Sequence, residues 1–180
     1  MGICQKKGRI ELNKTVTRSD VMIGDKVKRL LIDDEQRLVK PADEVAVVGI
    51  HNRLNHALLI LTSDKYSVVP VLDGDSKMKG LISLPTIMQS IMNIEDVQFE
   101  KLADIEVGEV MDTDYPVVKE NFELEDVLHM LVNDAFITVV NEENEFKGII
   151  TRSEILKGTN RVAHDLEKIY DVKEKEAVTY

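Results

Sequence analysis

The chain has 180 residues, 33 acidic against 23 basic side chains and a formal net charge of −10. This length predicts one compact unit, or two small units that share a core. The acidic charge and the absence of Trp exclude general nucleic-acid binding, because phosphates would be repelled over most of the surface. The single Cys4 excludes an intrachain disulfide and a cysteine-cluster zinc site, and it favours a reducing, cytoplasmic compartment.

The first 40 residues are expected to hold a leader and one helix. We expect residues 1–20 to be flexible, with a natural start near Met22 as the alternative. Residues 25–38 carry apolar side chains at 27, 30, 31 and 38, the spacing of an amphipathic helix, and we place an N-terminal helix at residues 21–40. The longest uncharged run of the chain, residues 80–94, is too short to cross a bilayer, so no membrane span is predicted.

The next segment alternates between strand and helix patterns. Short β-branched runs indicate strands, and apolar residues at 3.6-residue spacing indicate helices. The predicted elements are a strand at 45–48, a helix at 54–61, a hairpin of strands 68–72 and 78–83 around the turn 73–76, and a helix at 84–94. This order is β-α-β-β-α.

The same pattern occurs a second time. Residues 66–88 align without a gap with residues 134–156, at an offset of 68, and Lys79-Gly80 then meets Lys147-Gly148. We extend the same offset back to place residues 54–63 on 122–131 and Val48-Gly49 on Pro116-Val117. The second set of elements is strand 117–118, helix 123–132, strands 136–140 and 146–151, and a helix from 153 to about 169. The chain is therefore a tandem duplication.

The duplication predicts an α/β (α+β) fold of two β-α-β-β-α repeats behind an N-terminal amphipathic helix. The first domain is placed at residues 41–95 and the second at residues 107–160. A linker is placed at 96–106, and the end of the last helix with an acidic, solvent-exposed tail at 161–180.

These residues resemble a known family, the CBS-domain pair or Bateman module. The resemblance covers roughly residues 41–160 and rests on the "apolar-Pro-Val-apolar-Asp" segment of the first copy, with its counterpart in the second, and on the paired "Lys-Gly-apolar-apolar-Ser/Thr" segments. Residues 41–46, 54–62, 66–73 and 99–102 are also similar to the small stand-alone CBS proteins of low-GC Gram-positive bacteria that bind cyclic di-AMP, the DarB/CbpB group. The resemblance implies a homodimeric, cytoplasmic bacterial regulator.

The resemblance also implies a ligand site in a cleft between the two copies. The backbone of residues 45–47 would meet the adenine edge, Tyr66 would stack on the base, and Thr151 and Arg152 would hold phosphate. The family signature Gly-x-x-Ser/Thr-x-x-Asp, whose Asp binds ribose, carries Glu154 in place of Asp here. The implied ligand-binding residues are Glu44, Val45, Ala46, Val47, Tyr66, Ser67, Val68, Thr151, Arg152 and Glu154. Of these, Glu44 is unfavourable for phosphate, since some relatives carry a basic residue there.

Several of these residues have a plainer explanation. Tyr66 is a plausible boundary aromatic, and Thr151 can be the N-cap of the last helix. Arg152 opens that helix, where a cation is unfavourable for the helix dipole, and this favours a bound anion or an acidic partner. In the equivalent cleft of the other copy Ser83 and Thr86 come without a carboxylate, so that cleft is expected to be structural.

Enzymatic function finds little support in the sequence, with Cys4 as a weak nucleophile candidate. There is no Gly-rich phosphate loop, and the four His residues lack the spacing of metal ligands. The resemblance implies a non-enzymatic sensor of cyclic di-AMP without a cofactor, whose occupancy regulates a protein partner; in the family that partner is the alarmone synthetase-hydrolase. Two alternatives remain open, a sensor of AMP, ADP or ATP and a ligand-free interaction scaffold.

Overall fold

The computed structural model describes residues 38–63, 66–93 and 96–169. The predicted leader, the predicted N-terminal helix before Leu38 and the acidic tail lie outside these residues. The first copy contributes strands β1 (Lys40–Pro41), β2 (Val48–Gly49), β3 (Val68–Leu72) and β4 (Met78–Ser83) and helices α1 (Leu54–Ser63) and α2 (Leu84–Ile91). The second contributes α3 (Val107–Val110), β5 (Val117–Lys119), α4 (Leu124–Leu131), β6 (Phe136–Val140), β7 (Phe146–Thr151) and α5 (Arg152–Ile169).

Each copy builds its own sheet, and β1 joins the sheet of the other copy. The first sheet has the order β2-β3-β4, with β2 parallel and β4 antiparallel to β3. The second has the order β1-β7-β6-β5, in which β5, β6 and β7 repeat the same arrangement. Strand β1 pairs antiparallel with β7, so that Lys40 faces Ile149 and Pro41 faces Gly148. The four hairpin strands, β3, β4, β6 and β7, lie where the sequence predicts them.

The predicted strand at residues 45–48 is wrong in its first part. Residues Ala42–Glu44 form a 3-10 turn, and the N–H of Val45 donates to the carbonyl of Ala42 at 3.2 Å. Because this turn follows Pro41, which has no N–H to continue the pairing of β1 with β7, the chain bends away here and strand geometry resumes only at Val48. The predicted helix at 84–94 is also too long, since it ends at Ile91 and Met92 has an extended backbone.

The predicted offset of 68 between the copies is also wrong for the residues that precede the hairpins in the chain. Val48 pairs with Val71, and Val118 pairs with Val139, which sets the offset of the first strands at 70. The buried faces of the helices agree, with Leu54, Ala57 and Leu61 in α1 matching Leu124, Val127 and Leu131 in α4. Helix α1 continues to Ser63, two residues past the position where α4 ends, and this difference returns the offset to 68 at β3 and β6.

The apolar side chains form one core beside each sheet and a third cluster between the two copies, with Val107 of α3 in the core of the first sheet and Leu38 in that of the second. The inter-copy cluster consists of the buried side chains Met78, Val140 and Phe146 with Ala42, Val45, Val47, Leu72, Leu81, Tyr115 and Ile149 packed against them. It joins residues of both sheets, so the two copies share buried apolar surface.

Two reciprocal hydrogen bonds join the hairpins of the two copies, and their donors, Met78 and Phe146, belong to this cluster. The N–H of Met78 donates to the carbonyl of Asn144 at 3.0 Å, and the N–H of Phe146 donates to the carbonyl of Ser76 at 2.9 Å. The two bonds are related by the offset of 68, and Ser76 and Asn144 both have positive φ, of 60° and 66°. The two copies are thus related by a pseudo-two-fold axis through this point. No helix among the described residues is long and apolar enough to cross a membrane.

A glycine at the contact between β1 and β7 gives a first testable prediction. Gly148 has a φ of +152°, and a Cβ added there would overlap the carbonyl oxygen of Lys40. We expect Gly148→Ala to lower the free energy of unfolding by at least about 2 kcal/mol, because strain and steric overlap both act on the folded state. Gly74→Ala is the control, since a Cβ at Gly74 meets nothing within 4 Å. Urea denaturation of both variants measures the difference, and equal midpoints would contradict the prediction.

A second prediction concerns the turn of the first hairpin. Asp73 accepts hydrogen bonds from the N–H groups of Lys77 and Asp75, both at 2.9 Å, and its carboxylate lies 3.0 Å from the Lys79 ammonium. These contacts, first the N–H of Lys77 and then Lys79, hold the pKa of Asp73 below its usual value. The folded state therefore favours the charged form, and its contribution to stability is present above the unfolded pKa and lost as pH falls through the lower folded pKa.

The measurement is the free energy of unfolding of the wild type and of Asp73→Asn between about pH 5 and pH 2. The variant is expected to fold, because Asn141 occupies the equivalent position in the second hairpin and accepts from the N–H groups of Glu143 and Glu145. Its stability should fall less steeply with acid than that of the wild type. Parallel curves would show that Asp73 does not contribute.

Candidate functional site

The first group of predicted ligand residues lies at one edge of the first sheet. Strands β2 and β3 are parallel, so the segments that lead into them, residues 44–47 and 66–68, reach the same edge. Ala46 and Tyr66 both pack against the core of the first copy and are half-buried. Glu44 and Ser67 are exposed at this edge, and Val68 opens β3.

The second group lies at the end of β7. Thr151 is the last residue of this strand, and its hydroxyl accepts a hydrogen bond from the N–H of Glu154 at 3.3 Å. Thr151 is therefore the N-cap of α5, which confirms the plainer explanation of this residue.

Strand β7 connects the two groups. Residues alternate between the faces of a strand, so Thr151 shares a face with Ile149. Ile149 packs in the inter-copy cluster together with Val45 and Val47. Segments of both copies that carry predicted ligand residues are therefore adjacent in this cluster.

The side chain of Arg152 has a structural role that the sequence did not indicate. Its Nε donates to the carbonyl of Leu131 at 2.8 Å, and its Nη2 donates to the carbonyls of Asp134 at 2.8 Å and Val132 at 3.4 Å. These carbonyls stand at the C-terminal end of α4, where helices leave acceptors unpaired and where a cation is favourable. The carbonyls at the end of α4 thus offset the unfavourable position of this positive charge at the start of α5. The Nη1 atom donates to none of the described residues.

The reason this role was missed is that it depends on a distant pairing. The N–H of Arg152 donates to the carbonyl of Ala135 at 2.9 Å, because β7 and β6 pair antiparallel with Thr151 opposite Phe136. Only this register places the guanidinium beside the end of α4. The predicted hairpin of β6 and β7 could have indicated this role, because it places Thr151 opposite Phe136 and therefore Arg152 near the end of α4.

Glu154, the residue in place of the family's ribose-binding Asp, has a partner within its own helix. Its carboxylate accepts a hydrogen bond from the ammonium of Lys157, three residues later. A ribose hydroxyl at this carboxylate would share it with Lys157. The interaction is on the surface, where such pairs contribute little to stability.

The equivalent positions of the first copy are satisfied internally. The hydroxyl of Ser83 caps α2 by accepting from the N–H of Thr86 at 3.2 Å, and the two hydroxyl oxygens lie 2.7 Å apart. Leu84 occupies the position equivalent to Arg152 and has no polar group. That the cleft at Ser83 is structural stays a prediction.

Comparison with known proteins gives consistent matches. The CBS domain family matches residues 38–93 and 107–159. The chain is 43% identical over 127 residues to the cyclic di-AMP receptor B of Bacillus subtilis, covering 71% of this chain and 86% of the receptor. It is also similar to two solved structures. CbpB of Listeria monocytogenes in complex with c-di-AMP has a TM-score of 0.68 and 43% identity, over 72% of this chain and 96% of that one. CbpB of Streptococcus agalactiae has a TM-score of 0.76 and 29% identity, over 86% and 98%.

The contacts of Arg152 give a third prediction. Arg152→Ala removes the donors that satisfy the end of α4, and we expect the free energy of unfolding to fall by about 1–3 kcal/mol. Arg152→Lys keeps the charge but loses the planar guanidinium and its several N–H donors, so it should be less destabilising than Arg152→Ala but still less stable than the wild type. Thermal or urea unfolding of the two variants provides the measurement. Wild-type stability in Arg152→Ala would show that these hydrogen bonds do not hold the two elements together.

Proposed function

The chain belongs to the CBS-domain family, and from that premise we propose that it is a cyclic di-AMP receptor that binds its ligand in the cleft between the two copies. The relatives with 43% identity are described as a receptor and as a protein in complex with c-di-AMP, and neither description is that of an enzyme. The observation that carries the proposal is that Val45 and Val47, on either side of Ala46, pack in one cluster with Ile149 of β7, so segments of both copies that carry predicted ligand residues are adjacent.

The chemistry of the cleft suits an adenine nucleotide. Ala46 is small, so a flat base can approach its backbone closely, and the Tyr66 ring offers a stacking surface. The start of α5 adds N–H groups and the partial positive charge of a helix N-terminus for a phosphate. Arg152 stands at the same place, and its Nη1 can donate to a phosphate while Nε and Nη2 stay on the end of α4.

The same proposal includes a regulatory role. A ligand that favours one state of the protein changes the affinity of a protein partner by the same coupling free energy, whichever of the two binds first. We place the receptor in the cytoplasm as a homodimer whose occupancy controls a protein partner, and the resemblance to the DarB/CbpB group implies that this partner is the alarmone synthetase-hydrolase.

Titration calorimetry tests the ligand. We expect cyclic di-AMP to bind with a micromolar or lower Kd and AMP and ATP to bind at least tenfold more weakly. Thermal unfolding provides a parallel measurement, since ligand at 100 times its Kd should stabilise the protein by about 2.7 kcal/mol. Preference for AMP or ATP would indicate a mononucleotide sensor instead, and no binding of any of the three would indicate an interaction scaffold.

A charge variant tests the location of the cleft. Glu44 is exposed beside Ala46, and a carboxylate there repels a phosphate. Removing its charge by Glu44→Gln should strengthen cyclic di-AMP binding roughly threefold, the effect of one charge at about 6–7 Å in water. Glu100→Gln removes a charge that is also exposed, in the 3-10 turn Phe99–Ala103, and should leave the affinity unchanged. Equal effects of the two variants would contradict this location.

A further inference from the structure

The central strands of the two sheets differ at one equivalent position. In the second copy the N–H of Thr138 donates to the carbonyl of Pro116 at 3.0 Å, and its hydroxyl donates to the same oxygen at 2.7 Å. Thr138 is fully buried. The carbonyl that precedes β5 therefore has both of its lone pairs occupied from within the chain.

The first copy cannot make either of these bonds. Position 138 corresponds to Pro70 in the hairpin register, and Pro116 corresponds to Ala46 at the offset of 70. Proline has neither an N–H nor a hydroxyl. No hydrogen bond reaches the Ala46 carbonyl from the part of the chain that the structure describes.

The lengths of the parallel strands show the same difference. Strand β5 begins at Val117, which pairs with Thr138, and it has three residues. Strand β2 has two residues and begins at Val48, one position later in the equivalent register. Pro70 removes the first step of the parallel ladder, which accounts for a proline in the middle strand of a sheet, where this residue is normally excluded.

We propose that Pro70 determines which cleft binds the nucleotide, because it leaves the Ala46 carbonyl as an open acceptor while Thr138 closes the equivalent one. Ala46 is half-buried, and its carbonyl, which accepts from none of the described residues, gains from a ligand donor. The exocyclic amino group of adenine is such a donor, whereas guanine carries a carbonyl oxygen at the same ring position and would repel it. The inference rests on the proposed function and assigns the choice of cleft to one residue, Pro70. Because only one of the two clefts is then open, it implies one cyclic di-AMP per chain.

The first experiment is calorimetry of Pro70→Thr with cyclic di-AMP. The new N–H and hydroxyl should occupy the Ala46 carbonyl, as Thr138 occupies that of Pro116, and the affinity should fall at least tenfold, or about 1.4 kcal/mol. The free energy of unfolding should stay the same or rise, because a ladder hydrogen bond is gained. Thr138→Val, which alters the equivalent buried position of the other copy, is the matched control and should keep the wild-type affinity and stoichiometry.

A second measurement does not need a ligand. Amide hydrogen exchange of Pro70→Thr should show protection of the new amide at position 70 comparable with that of Thr138 in the wild type. Rapid exchange at position 70 would mean that the Ala46 carbonyl is not within reach and would overturn the inference.

The outcomes separate this inference from the proposed function. A wild type that binds no cyclic di-AMP, with a protected amide at position 70 of the variant, contradicts the function and supports the open acceptor. A wild type that binds and a Pro70→Thr variant that binds equally well contradict the role of Pro70 alone. Two ligands per chain would likewise overturn it, since the second cleft would then be open.

Discussion

The close approach of two backbones at Gly148 is the constraint on which the site depends. Because this residue has no side chain, β1 can lie directly against β7, and the chain then passes from the sheet of the second copy into that of the first. The segment between β1 and β2 is therefore held at one end by the pairing of β1 with β7 and at the other by the pairing of β2 with β3. Gly80 makes the equivalent approach to Asp112, where a Cβ would lie 2.5 Å from the carbonyl oxygen. The glycine in each Lys-Gly motif is thus required by the crossing of the chain.

The hairpins could be predicted from the sequence because their determinants are local. Alternation of apolar and polar residues and a short polar turn specify β3 with β4 and β6 with β7, and all four strands were predicted correctly. The start of the first copy could not be predicted in this way. Residues 45–47 look like a strand by composition, but Pro41 and the 3-10 turn after it direct them away from regular pairing.

The candidate site shows the same division. Which residues are expected to line the candidate cleft follows from the duplication and the family resemblance, and the cap formed by Thr151 follows from its place before a helix. The role of Arg152 and the contrast between Pro70 and Thr138 depend on strand register and on an offset that changes from 70 to 68 within the repeat. An alignment of the two copies without gaps cannot show either feature. Helix α1 has two residues more than α4 at its end, so an offset of 68 pairs the wrong residues in every element before β3.

The pairing of β1 with β7 also has a consequence for the order in which the chain folds during synthesis. Lys40 leaves the ribosome about a hundred residues before Ile149, its partner, and at about 5–20 residues per second this is a delay on the order of ten seconds. Until then β1 has no strand to join. The nascent first copy can form its hairpin and core, but the segment that contains Ala46 acquires its anchor only when β7 has been made.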